Sequence, residues 1–252
     1  MTPVLTAGLP VPHGFFTRRG GVSTGRFASL NCSLSGRDDA AAVAENRARA
    51  ATALGHDPAR LVGLTQVHGV AVAEVTEPWP AEARPQADAL VTDRPGLLLG
   101  IVTGDCAPVL FADAEAGVVG AAHAGWRGAV AGVLEATVAA MERLGASRTR
   151  IAAAVGPCIG QASYEVGPDL RDALLARDAG DARFLAPGRR EDRWQFDLPG
   201  YCLARLAAFG VTANWIGRDT LAEEDEFFSH RRATLSGGGP IGHQLSAIAL
   251  PA

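Results

Sequence analysis

A chain of 252 residues, 48% of them hydrophobic, is long enough to bury a sizeable core. Its net charge of −4, with basic residues scattered, excludes a nucleic-acid footprint, and no run of about eighteen apolar residues exists to cross a membrane. All 23 basic residues are arginine. Without lysine there is no Schiff-base chemistry and no P-loop, so any phosphate must be held by guanidinium forks or backbone N–H groups.

The first residues have neither a cationic start nor an unbroken apolar stretch, which predicts no signal peptide. The four cysteines, Cys32, Cys106, Cys158 and Cys202, form no CxxC pair, and a cytoplasmic, reduced protein is expected. Residues 11–19 read as a strand running into Arg18-Arg19-Gly20-Gly21, which is either an anion cradle or a solvated turn. A Gly- and Ser-rich loop follows over 22–33. Asp38 or Asp39 then caps a helix that ends at Leu54, with Gly55 beyond it.

Strands are predicted over 61–68 and 70–75, then a Pro-punctuated loop over 78–85 and strands over 87–92 and 97–103. Two further strands over 108–112 and 118–122 flank a turn at 113–117. An amphipathic helix over 130–144 presents Val130, Val133, Leu134, Val138, Met141 and Leu144 on one face. The remainder reads as a strand over 151–155, a helix over 168–177, a polar loop over 179–193 and a helix capped by Asp197 that runs to Phe209. Strands over 211–216, 227–232 and 243–250 complete the chain. It has no repeat and no linker and reads as one large domain or two small ones. Several strands adjacent in sequence point to mixed sheets, an α/β or α+β fold rather than a regular βαβ series.

Chemistry collects at the ends of the apolar runs. Cys106 follows 97–102, His123 follows 118–122, and His68 ends 61–67. A thiol and two imidazoles at the mouths of buried strands suit a zinc ion with one coordination position left open. Small residues on both sides of His123 leave room for close approach of a substrate.

Five motifs make the comparison specific: Thr65-Gln66-Val67-His68, Gly104-Asp105-Cys106, His123-Ala124-Gly125-Trp126-Arg127-Gly128, Gly156-Pro157-Cys158-Ile159 and Phe228-Ser229-His230-Arg231-Arg232. With Arg18-Arg19-Gly20-Gly21-Val22-Ser23 and Ser29-Leu30-Asn31, they resemble the YfiH-like family over nearly the whole chain. That family is also named as a polyphenol oxidase or laccase domain and as a purine nucleoside phosphorylase. The resemblance implies a single domain over 1–252, a four-layer α/β/β/α sandwich of the CNF/YfiH-like type, and a zinc held by His68, Cys106 and His123. It also implies phosphorolysis of adenosine, inosine and methylthioadenosine, and deamination of adenosine. The chain departs from its relatives at Asp219-Thr220, where Cys-Thr is usual, and at Gly242-His243-Gln244, where arginine usually stands in the middle.

Within this reading Asp105 is the expected proton shuttle. Arg18, Arg127 and Arg231 are expected to orient phosphate, and His230 stands either in the wall of the site or on an ordinary strand. Trp126, Phe15, Phe16 and Phe228 are the aromatic residues near suspected site loops. The partners implied are purine nucleosides and phosphate, taken up by a monomer or homodimer. Six histidines without a His-X-His pair are too few for a multicopper assembly, although a single copper could occupy the Cys106 site in vitro and give polyphenol oxidase activity. The other readings are a metal-free cysteine hydrolase using Cys106 with His123 or His68, an editing hydrolase of peptidoglycan precursors, and a protein with a purely structural zinc.

Overall fold

The computed structural model describes residues 2–35 and 37–251. In chain order, β1 (Val4–Leu5) and β2 (His13–Phe16) precede α1 (Ala40–Ala53), and β3 (Leu61–Val62) and β4 (Val72–Glu74) lead to β5 (Ala89–Thr92). The centre of the chain holds β6 (Leu98–Thr103), β7 (Ala107–Asp113), β8 (Val118–Ala124), α2 (Trp126–Ala131), α3 (Val133–Arg143) and β9 (Ala152–Val155). Then come β10 (Glu165–Val166), α4 (Pro168–Arg177), β11 (Leu185–Pro187), β12 (Trp194–Phe196) and α5 (Leu198–Ala208). β13 (Thr212–Trp215), α6 (His230–Leu235) and β14 (Gln244–Ala249) close it.

Two large mixed sheets carry the fold. One has the order β1-β2-β14-β6-β3 and the other β13-β9-β7-β8-β5-β4, while β10-β12-β11 make a small third sheet. β3 with β6, β4 with β5 and β9 with β13 run parallel; the other neighbours are antiparallel. Phe15, Leu99, Ile101 and Ile248 from the first sheet meet Leu90, Leu110, Val119 and Ala121 from the second in one buried cluster. The outer face of the first sheet, with Phe16, Leu98, Leu245 and Ala247, is covered by Ala50 and Ala51 of α1. The outer face of the second, with Val91, Val109, Phe111 and Ala122, is covered by α3 and α5 through Leu134, Val138, Met141, Tyr201 and Leu206. The layers are therefore α/β/β/α, as expected. Residues of β7 and β8 are buried throughout because each has a layer on both faces, which is why these segments read as unbroken apolar runs.

Helix boundaries follow local chemistry. Asp39 caps α1 by accepting from Ala42 N at 2.8 Å, and Asp197 caps α5 by accepting from Gly200 N at 2.9 Å. Three expectations are corrected. The helix anticipated over 130–144 is two helices that begin earlier, broken at Gly132, whose φ of 109° only glycine adopts without strain. The strand anticipated over 61–68 stops at Val62, because the amides of Val67, His68 and Gly69 donate to the Asp88 side chain instead of a sheet neighbour. The segment over 227–232 is not a strand: buried Phe227 and Phe228 lead into α6, which Ser229 caps by accepting from Arg232 N at 3.1 Å.

Candidate metal centre

Cys106, His68 and His123 come from three separate places and meet. Cys106 immediately precedes β7, His123 lies near the end of β8, and the antiparallel register pairs Ala107 with Ala124 and Pro108 with His123. His68 sits in the turn between β3 and β4 with φ at 61°, an uncommon region for a residue with a side chain. The three potential donor atoms lie within 4.8 Å of one another. Cys106 Sγ is 3.7 Å from His68 Nε2, and the two imidazoles meet edge to face with centroids 4.7 Å apart. A tetrahedral zinc with bonds of about 2.3 Å to sulfur and 2.0–2.1 Å to nitrogen would hold those atoms roughly 3.5 Å apart. The donor set therefore fits a metal with little rearrangement, and all three residues line a cavity.

Asp88 arranges this triad, and its role is invisible in the sequence. It directly precedes β5, whose pairing with β8 sets it beside His123, and its carbonyl accepts from His123 N at 2.7 Å. Its carboxylate is fully buried and accepts from His123 Nδ1 at 2.8 Å, His68 N at 2.9 Å, Gly69 N at 2.6 Å and Val67 N at 3.2 Å. One carboxylate thus fixes the tautomer of one histidine, leaving Nε2 bare, and also folds the turn that carries the other. Burial alone would raise its pKa, but the His123 contact and the Gly69 and His68 amides outweigh burial and hold it below the ordinary value. Gln66 adds a second tether: its amide donates to Val102 O at 2.8 Å and accepts from Val102 N at 3.0 Å.

Without a metal the triad is an ion pair. Burial pushes the Cys106 thiol up, yet the charge and hydrogen bond of His123, with His68 beside it, prevail and bring it down to about 6. Burial pulls His123 down, but Cys106 and Asp88 together lift it to about 9. Gly125 makes the close approach possible. A Cβ there would lie 2.7 Å from His68 Cδ2 and 3.0 Å from Cys106 Sγ, so any other residue would push the donors apart.

The triad stands in the wall of a cavity of about 510 Å³. Its lining includes Trp126, Tyr164, Arg127, Arg231 and His230, together with Arg47, Arg84, Thr103, Gln66 and His243. Arg127 stacks over Trp126 at 4.4 Å, and Arg231 over Tyr164 at 5.4 Å. Burial first, then the charges of His123 and His230, bring His243 down to about 4, so its imidazole is neutral.

Several anticipated residues stand elsewhere. Arg18 lies outside this cavity, in a separate groove with Arg26 and Arg232; it donates to Ala28 O and Glu224 O and stacks on Phe228. Phe15 and Phe16 are buried in the core. Asp105 lines the cavity, but its oxygens accept from Thr220 Oγ1 at 2.7 Å, Ser229 Oγ at 3.0 Å and Arg231 N at 2.6 Å. Those bonds tie the start of α6 to the strand end that carries Cys106. Asp219, one of the two departures, accepts from Ser163 Oγ at 2.6 Å and does not line the cavity, whereas His243, the other, does. Asp88, Tyr164, Arg47 and Arg84 carry no sequence signal that singles them out.

Fold and site together define a class: a four-layer α/β/β/α protein with a Cys-His-His donor triad at an arginine-bearing cavity. Residues 12–251 match the sequence model of the family described as "Multi-copper polyphenol oxidoreductase laccase", and the chain belongs to that laccase-domain, YfiH-like family. It is 46% identical to a Deinococcus radiodurans protein named "Purine nucleoside phosphorylase", over 99% of this chain and 93% of that one. It is 39% identical to Escherichia coli "Purine nucleoside phosphorylase YfiH", over 94% of this chain and 96% of that one. The crystal structure of Neisseria meningitidis protein NMB0706 superimposes with a TM-score of 0.87 at 34% identity, covering 99% of both chains. Among the described residues no helix is long and apolar enough to cross a membrane.

Proposed function

We propose that this chain is a zinc-dependent purine nucleoside phosphorylase working as one domain over 1–252. Its substrates would be adenosine, inosine and methylthioadenosine, and adenosine would also be deaminated. One observation carries the reading: His68, Cys106 and His123 converge in the lining of a cavity that also bears aromatic residues and arginines. The names of the relatives point the same way. The cavity volume is within the range of about 300–1,000 Å³ usual for small-molecule sites.

A metal held by the triad supplies a Lewis acid with a free coordination position. The protein's own groups do the rest. Trp126 and Tyr164 offer faces against which a purine can stack, with Arg127 and Arg231 behind them. His230, an exposed residue, lines the same cavity, where it can pass a proton to the departing base. In phosphorolysis a phosphate oxygen bonds to C1′ and the C1′–N9 bond breaks with its electron pair going to the purine. The purine then gains the proton that hydrogen phosphate gives up. In deamination, water replaces the 6-amino group and ammonia leaves. Asp105 is assigned as a positioning residue rather than the proton shuttle, because its oxygens are taken by three donors.

The multicopper description of the family does not suit these donors. Among the described residues one group of at least three His, Cys, Asp or Glu side chains can hold a metal, and His13, for one, is committed to Ala7 N and Val11 O. The test is turnover of inosine and adenosine by metal-analysed protein, with and without phosphate, followed by product chromatography. Phosphate-dependent release of the base, lost on chelation and restored by zinc, is expected. Zinc-replete protein that leaves all three nucleosides intact would overturn the assignment.

A further inference from the structure

We propose that Arg47, Arg84, Thr103 and His243, which line the cavity and are brought together by the pairing of Gln244 with Thr103 and by the bonds of Cys32 N to His243 O and of Arg47 to Cys32 O, form an anion subsite that holds inorganic phosphate. Of the arginines anticipated for that task, Arg18 lies outside the cavity, while Arg127 and Arg231 line it beside Trp126 and Tyr164. This inference rests on the phosphorolysis reading for its choice of anion, but the site itself is argued from unspent charge and unspent hydrogen bonds.

Charge comes first. Among the described residues, Arg47 and Arg84 have no carboxylate partner; each gives one bond to a backbone carbonyl, Arg47 to Cys32 O at 3.2 Å and Arg84 to Leu34 O at 3.4 Å. Both are half-buried and line the same cavity as the triad. Burial, and then the neighbouring charge of Arg84, lower the pKa of Arg47, so the two guanidiniums already strain against each other. Two like charges withdrawn from water without a counter-ion are costly, and a bound dianion removes that cost. The other two cavity arginines, also without a carboxylate partner among the described residues, differ in lying over aromatic rings, Arg127 over Trp126 and Arg231 over Tyr164. Arg231 Nη1 donates to Glu165 O at 2.7 Å.

Hydrogen bonds give a second, independent reason. Buried polar atoms almost always have partners. Among the described residues, Arg84 Nε, Thr103 Oγ1 and His243 Nδ1 are buried without one, and all three residues line this cavity. A guanidinium N–H, a hydroxyl and a neutral imidazole are the donors a tetrahedral oxyanion takes up, and the arginine forks match its oxygens in pairs. The single carboxylate lining this cavity, Asp105, has its oxygens occupied by its own donors, so it does not repel the anion from an open face.

The chemistry that these groups recognise is a phosphoryl dianion, which could come as free phosphate or as the 5′-phosphate of a nucleotide. Equilibrium dialysis of zinc-loaded protein with radiolabelled inorganic phosphate, repeated on Arg84→Gln and His243→Ala, tests the site without turnover. Circular dichroism checks that each variant folds. Losing one charge-assisted bond is expected to weaken phosphate binding roughly 10- to 100-fold for Arg84→Gln, and the KM for phosphate in inosine phosphorolysis should rise in step. If Arg84→Gln does not fold, Arg84→Lys, which keeps the charge and loses the fork, should show a smaller shift in the same direction. Unchanged phosphate affinity in a folded variant overturns the subsite even if phosphorolysis proceeds. Phosphate bound and weakened as expected, without any phosphorolysis, sustains the subsite and sinks the functional reading instead. Adenosine 5′-monophosphate binding that is weakened by Arg84→Gln, while free phosphate is unaffected, overturns inorganic phosphate as the occupant.

Discussion

Replacing Asp88 by asparagine keeps the size of the side chain and removes what the metal centre depends on. Both oxygens are in use: Oδ1 accepts from His68 N and His123 Nδ1, and Oδ2 from Gly69 N and Val67 N. An asparagine must turn its NH2 toward one of these pairs. Facing Gly69 and Val67, it sets donor against donor and loosens the turn that bears His68. Facing His68 and His123, it favours the tautomer with the proton on His123 Nε2, the nitrogen that must be bare to bind a metal. Either way two charge-assisted bonds are lost, at about 1.5–3 kcal/mol each. The loss divides between folding and metal binding. Metal affinity should fall roughly 10- to 100-fold, the usual effect of removing the partner of a histidine ligand. The melting temperature should fall by about 2–4 °C for each kcal/mol that appears as lost stability. Competition for zinc against a chromophoric chelator, together with thermal melts by circular dichroism, measures the two parts. Asp88→Asn protein that keeps wild-type zinc affinity would refute the clasp.

Other consequences follow from the same geometry. Gly125→Ala should lose zinc affinity while the rest of the fold stands, since its Cβ would fall 2.7 Å from His68 Cδ2; metal content after dialysis reads this, and full retention of metal would contradict it. In zinc-stripped protein Cys106 has its pKa lowered to about 6, so its thiolate is populated above that pH and lost below it. The rate of alkylation by iodoacetamide at Cys106 should therefore be half-maximal near that value, whereas a midpoint in the ordinary thiol range would show that His123 and His68 do not act on it. Ser229→Ala removes both the cap of α6 and a bond to Asp105, and should cost about 0.5–2 kcal/mol by denaturant unfolding, the usual loss for a cap. It should also raise KM for nucleosides, because His230 and Arg231 are the first two residues of that helix; an unchanged KM would detach α6 from substrate binding.

The layers and the candidate ligands were legible in the sequence alone. Buried runs such as those of β7 and β8, separated by an Asp- and Gly-bounded turn, read as interior strands, and capped segments such as α1 and α5 read as helices. Cys106 and His123 were legible because they stand beside the ends of buried strands, where a side chain leaves the core; His68 was legible from the apolar run before it, although that run is a turn folded by Asp88 and not a strand. Tertiary structure decided the rest. Asp88 looks like any acid before a strand until the β5–β8 register sets it beside His123 and its carboxylate collects the turn at His68. Asp105 looked like a proton shuttle from its place beside Cys106, but its φ of 89° and its bonds to Thr220, Ser229 and Arg231 turn it to the far end of the chain. Arg18 and Arg84 are the same residue type in equally plain surroundings, yet one is bound to carbonyls in an outer groove and the other lines the cavity with, among the described residues, one carbonyl bond and an Nε without a partner. Local pattern sets which face of an element is apolar. Which charges meet, and which are left without partners, depends on contacts between segments far apart in the chain.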